Sequence, residues 1–153
     1  MTIVSCLIVF EDKLVNMKSL FLTLALALTV NAAPPEKFWS ALHLQESGGA
    51  IGAIKGDYVN SQPRALGPYQ IHRLYWIDSA VPGRYEDCQD LSYSRKVVTA
   101  YLKLYAPKAW AAGESGCNVL FRTHNGGPAA MRATGTTKKN LDRYAKKALG
   151  LMK

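Results

Sequence analysis

Residues 44–76 read LQESGGAIGAIKGDYVNSQPRALGPYQIHRLYW, and this stretch decides the fold. Glu46 stands at the end of an apolar-periodic run, which Gly48-Gly49 stop as a helix. Gly52, Gly56-Asp57, Asn60-Ser61 and Pro63 punctuate residues 51–65 and predict a small hairpin or irregular β-lobe. Gly67-Pro68 then turns the chain into a second helix, expected over Gln70 to Asp78, with Ile71, Leu74, Tyr75 and Ile77 apolar. Glu46 and Asp57 thus fall on separate elements joined by a turn-rich segment, an arrangement in which two carboxyls can face each other across a cleft.

Two facing carboxyls are the minimum equipment for cleaving a glycosidic bond. One protonates the leaving oxygen and the other handles the cationic carbon. A carboxylate in the last turn of a helix opposes the helix dipole, and burial would raise its pKa further. A raised pKa is what a general acid needs at neutral pH. Each residue also has a plainer reading: Glu46 as a surface carboxylate, and Asp57 as a turn cap, the commoner use of Gly-Asp.

Outward from this stretch the chain is mostly helical. Pro34-Pro35 suits a helix start, and Phe38, Trp39 and Leu42 trace one face of a helix over 35–46. Pro82-Gly83 marks a turn, and Arg84 to Leu91 a polar loop holding Cys88. Ser92 or Ser94 is the expected cap of a core helix that runs to Tyr105, where Pro107 stops it. Cys117 to Thr123 reads as a buried helix, broken sharply by His124-Asn125-Gly126-Gly127-Pro128. Thr137 to Leu149 is a basic helix with Leu141, Tyr144, Ala145 and Ala148 inward, ended by Gly150. The class expected is α+β: helices with a small β-hairpin lobe beside a cleft.

The 153 residues suit one domain behind a leader. Met17-Lys18-Ser19, the apolar run from Leu20 to Val30 and the small-residue pattern Val30-Asn31-Ala32 read as a signal peptide over 1–32, too short for a membrane span. It starts more naturally at Met17 than at Met1; the alternative is a longer signal with two apolar patches. The expected catalytic domain is 33–153. Removing 1–32 takes two bases and two acids, so the net charge stays +8. Such a charge suits anionic surfaces such as bacterial wall polymers, or serves solubility alone. No basic-aromatic array argues for nucleic acid. Two cysteines remain, Cys88 and Cys117, and an even count in a secreted domain suggests one disulfide, the alternative being two separate thiols. No Cys/His spacing resembles a metal site, and no cofactor is expected.

Three motifs stand in order: Glu46-Ser47-Gly48, then Gly67-Pro68-Tyr69-Gln70-Ile71, then Arg122-Thr123-His124-Asn125-Gly126-Gly127-Pro128. Together with Tyr75-Trp76-Ile77-Asp78 and Pro82-Gly83 they resemble the invertebrate-type lysozymes, the destabilase family, over roughly 36–149. The resemblance implies a lysozyme-like fold and cleavage of the β-1,4 bond between N-acetylmuramic acid and N-acetylglucosamine in peptidoglycan. It carries the catalytic Glu onto Glu46 as proton donor and the catalytic Asp onto Asp57 as nucleophile or charge stabiliser. The enzyme expected is secreted, antibacterial or digestive, a monomer acting on bacterial walls, with no nucleic-acid partner and no stable membrane insertion. The same trio is more distantly similar to lytic transglycosylases. A third possibility is a cationic wall-binding protein that works by charge alone.

The chain departs from the family in its cysteines: Ser79, Ala50 and Ala53 stand where cysteines are usual. Some members also split isopeptide bonds with a Ser and a basic partner; here Ser61 is the candidate serine, and His72 stands where the Lys is expected. Around the cleft, Tyr69 and Gln70 are candidates to hold an acetamido group, and Tyr75 and Trp76 to stack on sugars, though one of these two is expected in the core. His124 and Asn125 either fix the turn below the cleft or, for His124, act directly. Lys138, Lys139, Arg143, Lys146 and Lys147 either steer the protein to anionic walls or form a solvated face.

Overall fold

The computed structural model describes residues 33–153 except 55, 57, 60, 61 and 64, and the backbone alone at 58, 59, 62 and 63. The expected leader, Asp57 and Ser61 lie outside the described residues.

Helix α1 spans Glu36–Ser47 and buries Phe38, Trp39, Ala41 and Leu42, positions that recur on one helical face. Glu36 lies in the first turn, where the dipole favours it, and forms a bidentate pair with Arg95 at 2.6 and 2.7 Å. Gly48 closes the helix in the left-handed conformation, φ 66°, with its N–H on the Leu44 carbonyl at 3.0 Å. The glycine stop therefore leaves Glu46 in the last turn, as the sequence predicts.

The β-lobe consists of two short antiparallel pairs rather than one hairpin. Strand β1 (Tyr58–Val59) pairs with β2 (Gln62–Pro63), and β3 (Ala65–Leu66) pairs with β4 (Ile71–His72) in the register Ala65↔His72, Leu66↔Ile71. Gly67 turns the second pair at φ 74°, and a Cβ there would sit 1.8 Å from the Cys88 carbonyl oxygen. Both conformation and space thus demand glycine. Because Ile71 and His72 pair as a strand, helix α2 begins at Arg73 and runs to Ser79, later than the expected start at Gln70. Tyr75 and Ser79, four apart, face inward, while Leu74 and Ile77 are exposed.

A 3₁₀ turn, Tyr85–Gln89, leads to α3, Leu91–Tyr105. Asp90 caps α3, its carboxylate accepting from the Tyr93 N–H at 2.7 Å, whereas the Ser94 hydroxyl donates to the Leu91 carbonyl. Pro107 ends α3 but also opens α4, Pro107–Ala111, because proline fits a first helical turn. A second 3₁₀ turn, Gly113–Gly116, precedes α5, Cys117–Gly126; a third, Gly127–Arg132, precedes α6, Gly135–Gly150. Helix α5 continues through His124 and Asn125 and breaks at Gly127, so His124 sits on a helix and not in the expected turn.

One core joins these elements. Phe38 meets Phe121 at 4.6 Å between ring centroids, and Val97, Val98, Leu102, Leu120, Ala145 and Ala148 are fully buried around them. Cys88 and Cys117 belong to the same core as free thiols, which corrects the expected disulfide. Cys88 lies in the 3₁₀ turn under the β3–β4 hairpin; Cys117 opens α5, and its Sγ contacts the Gly113 carbonyl at 3.6 Å. Each fills its niche as a small hydrophobe. Burial raises the Cys88 thiol to about 12 and the Cys117 thiol to about 11, which makes both unreactive at neutral pH. A reductant should therefore leave Tm unchanged, and a thiol reagent should modify both residues only after denaturation; a Tm that falls on reduction would contradict the free-thiol structure.

Candidate active site

Between the end of α1, the β-lobe and α5 lies a cavity of about 340 Å³, lined by Glu46, Gly56, Ala65, Gln70, His72, His124 and Asn125. The Glu46 side chain is 14% exposed and that of His124 4%. Burial raises the Glu46 pKa above that of an ordinary carboxyl; a hydrogen bond from the Tyr144 hydroxyl and the charge of His72 pull it back only in part. Tyr144, on α6, donates to Glu46 Oε1, and His124 Nε2 stands 3.7 Å from the same oxygen.

His124 is fixed from both ring nitrogens. Nε2 faces the Tyr69 carbonyl at 3.2 Å, and Nδ1 faces the Tyr75 hydroxyl at 3.1 Å. A carbonyl only accepts, so Nε2 carries the hydrogen, and Nδ1 accepts from Tyr75. Burial lowers the His124 pKa to about 4, so the ring is neutral near neutral pH. Gln70 holds φ 48°, rare for a non-glycine residue, with its backbone N–H and its Nε2 both on the Gly67 carbonyl. Strained backbone of this kind is concentrated at functional sites, and here it sits on the cavity wall.

Comparison with known proteins agrees with this architecture. A model of the family described as Destabilase matches residues 55–147. The chain belongs to that family, the invertebrate-type lysozymes. It is 36% identical over 80 residues to Lysozyme 1 of Crassostrea virginica, covering 51% of this chain and 41% of that one. It is 36% identical over 76 residues to the invertebrate-type lysozyme of Ruditapes philippinarum, covering 48% and 54%. These matches span about half the length of the relatives. In three dimensions it resembles the crystal structure of Tapes japonica lysozyme, with a TM-score of 0.56 and 29% identity over 78% of this chain and 91% of that one. The fold is therefore lysozyme-like, mostly helical with a small β-lobe. The family match takes in Asp57 and the second and third motifs, whereas Glu46 lies ahead of it.

Of the residues expected at the site, the structure brings Glu46, Gln70, His124 and Asn125 to one cavity. Tyr69 is buried behind it, edge-on to Trp39 and His43, and offers its carbonyl to His124. Tyr75 is core: it stacks on Tyr101 at 3.4 Å and its hydroxyl holds His124, so no ring face remains for a sugar. Trp76 is half-buried away from the cavity, its Nε1 donating to the Tyr93 hydroxyl at 2.9 Å. Sequence reasoning placed Tyr144 inward but assigned it no site role, since its partner lies 98 residues away. Among the described residues no group of His, Cys, Asp and Glu is arranged to hold a metal ion.

The depressed His124 pKa has a testable sign. The unfolded histidine gains a proton near pH 6.5 and the folded one only near 4, so His124 contributes stability that is fully present above about 6.5 and lost as pH falls toward 4. The span corresponds to about 3 kcal/mol. Chemical denaturation of wild type and His124→Gln at several pH values should show a shallower acid decline in the variant; parallel declines would mean that His124 is not held neutral.

Proposed function

We propose that this chain is a secreted muramidase that hydrolyses the β-1,4 bond between N-acetylmuramic acid and N-acetylglucosamine in peptidoglycan, in an antibacterial or digestive setting. The observation that carries the reading is Glu46: a carboxyl in the wall of a cavity, kept protonated above the usual range by burial and hydrogen-bonded to Tyr144. Family membership supports the same chemistry, since the relatives it matches are named lysozymes.

In this reading Glu46 gives its proton to the glycosidic oxygen as the bond to the sugar's anomeric carbon breaks. Asp57 meets the developing oxocarbenium ion, by covalent attack or by charge. Water completes hydrolysis, and Glu46 recovers a proton from it. The strained Gln70, with His72 and Asn125, supplies polar groups along the cavity for the sugar's acetamido and hydroxyl substituents. The net charge of +8 favours encounter with anionic walls. Isopeptide cleavage by Ser61 and His72 is a weaker reading, because His72 stands where the basic partner is expected to be a lysine.

Glu46→Gln should keep the fold and lower hydrolysis of bacterial walls by at least ~10²-fold, as expected for loss of a general acid. Asp57→Asn should be as severe if Asp57 is the nucleophile. Mass analysis of released fragments distinguishes the neighbouring chemistries: hydrolysis leaves reducing ends, a lytic transglycosylase leaves 1,6-anhydro ends, and a charge-only binder releases nothing. Normal turnover by folded Glu46→Gln would end the muramidase assignment.

The secreted protein should begin near Ala33, after the Val30-x-Ala32 pattern. N-terminal sequencing of exported material that found Met1 or Met17 intact would refute the leader.

A further inference from the structure

Tyr144 reaches Glu46 from the last helix. Helix α6 packs its Leu141, Ala145 and Ala148 into the core, and Tyr144 lies at the edge of that stripe, on the side of Ala148. From there its hydroxyl reaches Glu46 Oε1. His124 Nε2 stands 3.7 Å from the same oxygen, too far for a hydrogen bond, and gives its hydrogen to the Tyr69 carbonyl instead. In a protonated carboxyl the carbonyl oxygen is the better acceptor, so acceptance of the Tyr144 hydrogen at Oε1 disfavours the acid proton there.

We propose that Tyr144 is a positioning residue for the acid step: its phenol fixes Oε1 of Glu46 as an acceptor, so the transferable proton resides on Oε2. The inference rests on the muramidase reading of Glu46. When the proton leaves Oε2 for the glycosidic oxygen, the negative charge left on the carboxylate is met at Oε1 by a donor already in place. No side chain has to reorganise during the step. Burial keeps the Tyr144 phenol protonated throughout, so the donor cannot titrate away. Among the described residues, the groups that face Glu46 include Tyr144 from α6, which hydrogen-bonds it, His124 from α5 and His72 from β4.

The test uses the full chain with two variants of opposite sign. Tyr144→Phe removes the donor and keeps the ring; 3,5-difluorotyrosine at position 144 keeps the shape and strengthens the donor. The readouts are NMR titration of the Glu46 carboxyl carbon and the alkaline limb of the kcat/KM profile on soluble peptidoglycan fragments. In Tyr144→Phe both should move to higher pH, and kcat should fall about tenfold or more with KM little changed, as for loss of a hydrogen bond to a charged group. In the difluoro variant both should move to lower pH. A merely structural tyrosine would change Tm and leave the titration and the limb where they are, which would overturn the proposal while Glu46→Gln remained inactive. Normal turnover by Glu46→Gln would remove the reading beneath it, whatever Tyr144 does.

Discussion

Burying a carboxyl at the C-terminal end of a helix sets the terms for the rest of this molecule. Both the lost hydration and the dipole of α1 oppose charge on Glu46. The group can stay there only if neighbours satisfy its oxygens, and those neighbours come from elsewhere in the chain. Helix α6 supplies the Tyr144 hydroxyl that hydrogen-bonds Oε1, and helix α5 sets the neutral ring of His124 3.7 Å from the same oxygen. The core that packs Phe38 on Phe121, and Leu141, Ala145 and Ala148 against the other helices, therefore does more than hold the domain together. It fixes three helices at the spacing that lets a phenol and an imidazole meet one carboxyl.

A second layer extends from the first. His124 keeps its orientation through the Tyr69 carbonyl on one side and the Tyr75 hydroxyl on the other. Tyr75 in turn stacks on Tyr101 of α3. Tyr69 owes its place to the turn at Gly67, which no side chain could occupy because the Cys88 carbonyl lies against it. The motif that opens with Gly67-Pro68-Tyr69-Gln70 thus serves two purposes: a buried carbonyl that orients the imidazole, and a strained glutamine on the cavity wall. The cysteine-poor character of the chain fits this picture, since large aromatic side chains rather than crosslinks tie the elements to one another.

Much of this was legible in the chain itself. Helical periodicity located α1, α3, α5 and α6, because each buries a continuous apolar stripe, and Gly48 announced the stop that leaves Glu46 in the last turn. What failed was set by partners distant in sequence. Ile71 and His72 read as helix because apolar residues follow at helical spacing, yet pairing with Ala65 and Leu66 takes them into a strand. Tyr75 read as a sugar platform, yet stacking on Tyr101 buries it. Pro107 read as a stop and is also a start, since a missing N–H costs nothing in a first turn. Two cysteines left over in a domain read as secreted suggested a bridge, but the core uses both as apolar filling. Periodicity turned Tyr144 inward but gave it no role at the site; only the docking of α6 gives it a carboxyl to hold.

The shifts of Glu46 and His124 also belong together. A protonated imidazole 3.7 Å from Glu46 would favour the carboxylate and lower its pKa, which would take away the acid proton. Burial of His124 prevents this by keeping the ring neutral down to about pH 4. The two shifts act on stability in opposite senses. The raised carboxyl contributes stability at low pH that is lost as pH rises through its folded pKa, whereas the depressed histidine contributes stability above about 6.5 that is lost as pH falls toward 4. Neither group is free to relax toward the other as an ion pair, because Tyr69 and Tyr75 hold the imidazole and Tyr144 holds the carboxyl. The site therefore holds a carboxyl whose pKa is raised beside an imidazole whose pKa is lowered, and the aromatic core that buries both maintains the arrangement.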